Sequence, residues 1–184
     1  MQKTCSKANS VLNLLRRNFH KCSQKSKELA YKSLLRPILE YASPIWNPYQ
    51  ESLQADIEQV QRPAATFVTN NYIYEPGTVS NIMNTLQWKS LRRRREDSSL
   101  VLFYKGLKGK AAIPTQNLQE HQSRSRNQRN MSFKIPFART DAYLNSFMPK
   151  TIRLWNNLPQ NLILKAENAS DQINVFRGEV KNRQ

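Results

Sequence analysis

The stretch Glu51-Ser52-Leu53-Gln54-Ala55-Asp56-Ile57-Glu58-Gln59-Val60-Gln61-Arg62-Pro63-Ala64-Ala65-Thr66-Phe67-Val68 reads as a helix. Its apolar residues Leu53, Ile57, Val60, Ala64 and Phe67 or Val68 recur at steps of three and four, which places them on one face of a 3.6-residue turn. Pro63 interrupts that pattern. It has no N–H and costs ~3 kcal/mol in a helix interior, so the segment is open to a split in two at that point.

The same period recurs on either side. Ala8, Leu12, Leu15 and Phe19 form one face of a helix over 6–19, with Arg16, Arg17 and Lys21 near its C-terminal end, where cations suit the dipole. A second helix is expected from Ser23 or Ser26 towards Tyr41, with Leu29, Ala30, Leu34, Ile38 and Tyr41 as its apolar stripe and a kink or local end at Pro37. Ser43-Pro44-Ile45-Trp46-Asn47-Pro48 should stop it. Residues 69–78 read as loop, Val79 to Leu86 as a short helix, and Ser90 as the cap of a helix reaching Tyr104 and ended by Gly106 and Gly109. Residues 115–131 are polar, and a flexible basic loop is expected. Phe133-Lys134-Ile135-Pro136-Phe137 alternates like a short edge strand, with 144–147 as its partner. Pro149 opens a short helix through Ile152 and Trp155 that ends at Leu158-Pro159. A last helix begins near Ser170 and buries Ile173, Phe176 and Val180. The expected fold class is mainly α: a helical bundle, then a small α+β C-terminal lobe with a short β-hairpin and a final helix. The expected segments are 1–68 helical, 69–114 linking helices, 115–131 loop, and 132–184 C-terminal lobe.

The chain has 184 residues, a hydrophobic content of 39% and a mean hydropathy of −0.72. A thin core follows. No apolar run is long enough for a membrane span, and the first residues do not read as a signal peptide. A reducing compartment, nuclear or cytoplasmic rather than secreted, is the expectation. Cys5 and Cys22 are too few for a metal knuckle and read as free thiols.

Net charge is +16. Residues 1–36 carry +8, residues 37–91 carry −3, and residues 92–184 carry +11. Segregated positive charge of this size fits a polyanion partner, RNA or DNA, rather than a membrane. The candidate contacts form four groups. Arg16, Arg17, Lys21, Lys25, Lys32 and Arg36 can make a basic face in the first lobe. Arg92, Arg93, Arg94 and Arg95 fill a helix start, where four cations oppose the dipole unless a phosphate or an acidic surface lies opposite. Arg124, Arg126 and Arg129 make a phosphate-seeking arm. Arg139, Lys150 and Arg153 stand among aromatics between Arg139 and Pro159; there Tyr143, Phe147 and Trp155 can stack on bases, although core packing is the stronger reading for Phe147 and Trp155.

Catalytic chemistry is not legible. Asp56, Asp97, Asp141 and Asp171 are isolated in sequence, and two-metal chemistry needs gathered carboxylates. His20 and His121 have no nucleophile or carboxylate at a recognisable spacing. Gly106-Leu107-Lys108-Gly109 lacks the spacing of a phosphate loop.

Several collinear motifs carry a resemblance. Ala8-Asn9-Ser10-Val11-Leu12, Leu15-Arg16-Arg17-Asn18, Ala30-Tyr31-Lys32-Ser33-Leu34, Arg36-Pro37-Ile38-Leu39-Glu40-Tyr41-Ala42-Ser43, Trp46-Asn47-Pro48 and Val60-Gln61-Arg62 resemble the thumb and post-thumb region of reverse transcriptases from non-LTR, LINE-type, jockey-like retrotransposons. Leu86-Gln87-Trp88, Arg94-Arg95, Ala112-Ile113-Pro114 and the Arg139–Pro159 stretch continue the likeness in order. Pro63, Thr66, Asn71 and Gln87 depart from the family's pattern. The resemblance implies a thumb-like first bundle that grips template and nascent strand in an RNA-directed DNA polymerase. It implies that the metal-holding palm, with its magnesium, lies outside this chain, which would be inactive alone. Other retrotransposon proteins are further implied partners. The alternatives are a helical protein–protein interaction module and a non-functional product of a degenerate retrotransposon copy.

Overall fold

A computed structural model describes residues 2–73, 75–115, 118–120 and 132–183. Eleven α-helices run along these residues: α1 Gln2–Asn18, α2 Gln24–Ala30, α3 Arg36–Glu40, α4 Ser43–Trp46, α5 Glu51–Thr69, α6 Thr78–Thr85, α7 Leu91–Leu107, α8 Asp141–Leu144, α9 Phe147–Asn156, α10 Gln160–Glu167 and α11 Gln172–Asn182. A π-helical turn, Tyr31–Leu35, joins α2 to α3. The chain divides into two compact units, residues 1–94 and 95–184, and the division falls within α7.

Unit 1 is built on α1, the α2–α3 run and α5. Ala8, Leu12 and Leu15 of α1 meet Ile57, Val60, Ala64, Phe67 and Val68 of α5 and Tyr31, Leu35 and Leu39 in one buried cluster. Ser23 caps α2, its hydroxyl accepting from the Ser26 N–H at 3.3 Å. The π turn then shifts the helix face. The Arg36 N–H donates to the Tyr31 carbonyl, five residues back, just before Pro37, whose ring cannot follow an α-helical turn without meeting the carbonyl four residues earlier. The buried positions are Lys27, Ala30, Tyr31, Leu35 and Leu39. The expected stripe holds in part: Ala30 is buried and Ile38 packs half-buried against the core, whereas Leu29, Leu34 and Tyr41 are 66%, 49% and 81% exposed. Ser43–Trp46, expected as a stop, forms the short α4 after Ala42 takes a left-handed conformation at φ 50°.

Pro63 does not split α5. Burial of Ile57, Val60, Phe67 and Val68, at about 1.5–3 kcal/mol each, outweighs the ~3 kcal/mol of an interior proline. Its carbonyl also accepts from Arg16 Nη2 at 3.2 Å and from Thr66 Oγ1 at 3.0 Å.

Unit 2 gathers α7, α9, α10 and α11 around aromatic rings. The Trp155 ring lies 5.4 Å from Phe103, 6.0 Å from Tyr104, 6.3 Å from Phe133 and 5.7 Å from Phe176, centroid to centroid. Such pairs add about 0.5–1.5 kcal/mol beyond their buried area. Gly106 sits inside α7, where an added Cβ would come within 3.0 Å of Ile113; the helix ends later, before Gly109 at φ +66°. Sequence periodicity missed α10, whose Leu162, Ile163 and Ala166 are buried.

The expected β-hairpin is not formed. The described residues contain no strand, and their one β pairing is an isolated bridge between Glu120 and Phe133. Two local causes are visible. The side-chain amide of Asn156 takes both backbone groups of Phe133, accepting its N–H at 3.0 Å and donating to its carbonyl at 2.8 Å, where a strand neighbour would have stood. The supposed partner strand is turned into helix by capping: Thr140 Oγ1 accepts the Tyr143 N–H at the start of α8, and α9 starts after Ser146. The C-terminal lobe is therefore all-helical among its described residues. The flexible loop expected over 115–131 falls mostly outside the described residues, as do Arg124, Arg126, Arg129 and His121.

Candidate nucleic-acid interface

The candidate cations of unit 1 fall into two sets. Arg17, Lys21 and Lys25 are exposed along the last turn of α1, the connecting turn and the first turn of α2. None of the three makes an ion pair with a described residue; Arg17 Nε bonds only its own helix, at the Asn13 carbonyl, 3.4 Å away. Stacking cations at the negative end of α1 is locally favourable. The other set is engaged. Arg16 holds the Pro63 carbonyl. Lys32 pairs with Glu28 at 2.7 Å, and Arg36 approaches Glu40 at 3.6 Å.

The arginine run also divides. Arg92 is exposed, and its backbone N–H donates to Glu58 Oε1 at 2.6 Å. Arg93 is half-buried, with its N–H on Ser90 Oγ at 3.2 Å, so Ser90 caps α7. Arg94 grips Glu40 with two guanidinium nitrogens, the Nη2–Oε2 contact measuring 3.1 Å. Arg95 is wholly buried. The acidic surface needed to offset the dipole conflict is thus supplied in part by this chain's own Glu40 and Glu58.

In unit 2, Arg139 is exposed and Lys150 half-buried. Arg153 ties α9 to the end of α8, donating to the Leu144 carbonyl at 2.7 Å. Tyr143 is half exposed, whereas Trp155 is core. Phe147 packs against the same cluster.

Sequence reasoning passed over a group beside Arg36 and Arg94. Tyr31 is buried and stacks on Trp88, ring centroids 4.1 Å apart at 14°. Trp88 Nε1 donates to Glu28 Oε1 at 3.1 Å. Lys32's bond, followed by Trp88's, holds the Glu28 carboxyl below its ordinary range against an opposing effect of burial. Burial pushes the Tyr31 phenol well above its usual value. Gln61 of α5 donates to the Lys89 carbonyl at 3.2 Å. Tyr31, Lys32, Arg36, Gln61, Trp88 and Arg94 line a cavity of about 220 Å³. No spacing rule links these residues; α5, α7, the connection before α7 and the α2–α3 run bring them together.

The described carboxylates do not fit a magnesium centre. Asp97 pairs with Arg183 at 3.0 Å, and Asp171 caps α11 through the Asn174 N–H. No three or more His, Cys, Asp or Glu side chains gather as ligands among the described residues. No helix there is long and apolar enough to cross a membrane. Comparison with known protein families, curated proteins and solved structures finds no match to this chain.

Proposed function

We propose that this chain binds RNA or DNA through the phosphate backbone, as a thumb-and-beyond segment of a LINE-type reverse transcriptase. The observation that carries the reading is the excess of positive charge, +16 in 184 residues, with Arg17, Lys21 and Lys25 exposed side by side along the α1–α2 junction. Cations in that state neutralise phosphates and release counterions, which gives affinity without base reading. The resemblance of the helical motifs supplies the polymerase context. Arg92 and Arg139 are further exposed contacts.

The test is binding of a single-stranded oligonucleotide across a salt series. Affinity should fall steeply between about 50 and 200 mM salt, and replacing Arg17, Lys21 and Lys25 together by Gln should lower the log–log salt slope by about 2 to 3. Salt-independent binding, or an unchanged slope in the triple variant, would sink the proposal. A second reading, a helical partner-binding module, draws on Leu29, Tyr41 and Ile45, which are 66%, 81% and 83% exposed. Association with a protein that is unaltered by nuclease, together with no oligonucleotide affinity, would favour it.

A further inference from the structure

A cavity of about 700 Å³ lies within unit 1, between the end of α1, the second half of α5 and the residues that lead into α6. That is the size of a pocket for a drug-sized molecule, ~300–1,000 Å³, rather than for a lone ion. Phe67, Tyr72, Ile73 and Pro76 belong to its apolar lining. Phe67 is buried, but Tyr72 and Ile73 are 49% and 58% exposed. An aromatic ring and a branched side chain left bare at the rim of a cavity suit a ligand with an apolar body that covers them. The rim is held by its own turns. Asn71 Oδ1 accepts the Ile73 N–H at 3.1 Å, and the Thr78 N–H donates to the Glu75 carbonyl at 3.2 Å.

The ionic residues among the described lining are Arg16, Arg62 and Glu75, and His20 lines the cavity as well. Neither arginine pairs with a carboxylate, and Glu75 pairs with no cation, among the described residues. Arg16 already holds the Pro63 carbonyl, so it supplies charge more than a free fork. Arg62 and Glu75 are both exposed, and although they line one cavity they do not reach each other. A single ligand that meets both is anionic at one end and carries a hydrogen-bond donor at the other. Two arginines against one carboxylate favour a net negative charge on it. A fatty acid answers Arg62 and the apolar rim but brings no donor to Glu75.

We propose that this cavity binds a nucleoside monophosphate whose base carries an amino group, either a free nucleotide or the end of a strand. The phosphate meets the Arg62 guanidinium, whose planar fork suits it, and Arg16 adds to the field. The base stacks on Tyr72. Its amino group donates to the Glu75 carboxylate, as a base amine does when a carboxylate reads it in a DNA groove. The site shares no residue with the exposed Arg17, Lys21 and Lys25 set and does not rest on the backbone-binding reading.

The experiment titrates the full chain with AMP by calorimetry, beside adenosine, ribose phosphate, laurate and purine riboside monophosphate, which is AMP without the amine. AMP should bind more tightly than each of the four. Arg62, Tyr72 and Glu75 are exposed, so the melting temperature of each variant should hold, which separates lost binding from lost fold. Tyr72→Leu keeps an apolar side chain and removes the ring; it should weaken AMP and adenosine about fivefold or more. Arg62→Gln should weaken AMP about tenfold and shrink its advantage over adenosine. Glu75→Ala should erase the advantage of AMP over purine riboside monophosphate. A dinucleotide that displaces AMP assigns the site to the end of a strand; AMP binding that it leaves intact assigns the site to the free nucleotide. No AMP binding, laurate or purine riboside monophosphate binding as tightly as AMP, or AMP affinity intact in Tyr72→Leu or Arg62→Gln overturns the proposal. AMP binding without oligonucleotide affinity keeps this site and sinks the backbone reading, and salt-dependent oligonucleotide binding without AMP binding does the reverse.

Discussion

Lys27 is wholly buried, with its ammonium 2.6 Å from Asn70 Oδ1 and 5.4 Å from the centroid of the Phe67 ring. A lysine inside a small helical bundle persists only when its charge is answered, and Asn70 answers it from the left-handed cap of α5 at φ 54°. Asn70→Gly removes the acceptor while easing the backbone. It should lower stability by about 1–2 kcal/mol in urea unfolding; an unchanged midpoint would show that Lys27 is satisfied without it. Lys25 and Lys32, two and five residues away, are exposed. Charge type alone treats all three alike, and burial separates them. The same holds for Arg92 and Arg95, three positions apart on α7, one exposed and one wholly buried.

Capping and side-chain substitution for backbone explain most of what happens to individual elements. The apolar period correctly places α1, α5, α6, α9 and α11, because each buries a face whose residues are local in sequence. It places Ala30 and Ile38 of the α2–α3 run correctly but not Leu34 or Tyr41, which lie in or beyond the π turn at Tyr31–Leu35, where the register shifts. It invents a hairpin at Phe133, because alternation says nothing about which group will satisfy the backbone. Asn156 does so from α9. Asn156→Ala should therefore free Phe133 from the aromatic cluster and cost roughly 1–3 kcal/mol, with protection of the Phe133 amide against hydrogen exchange lost. Retained protection would mean that the Glu120 bridge alone holds the segment.

At the scale of the whole molecule, pH reports on both cores. Burial raises the phenols of Tyr31 in unit 1 and Tyr104 in unit 2 above the ordinary 10.0, and the hydrogen bond that Lys108 donates to Glu167 raises Lys108 above 10.5. A group raised in the folded state stabilises fully below its unfolded value and loses that contribution as pH rises through its folded value. Melting temperature should hold between about pH 8 and 10 and fall above about pH 10, with buried tyrosinate absorbance appearing only as the protein unfolds. A melting temperature unchanged at about pH 11 would contradict this. The positions of α1, α5, α6, α7, α9 and α11, the excess of positive charge and the caps at Ser23 and Ser90 were legible from residue order, since each depends on neighbours within a few positions. Which cations face water, which face of the α2–α3 run is buried, and the meeting of Tyr31, Gln61, Trp88 and Arg94 around one cavity were decided by tertiary contacts. Those depend on residues tens of positions apart, and no local period encodes their distance.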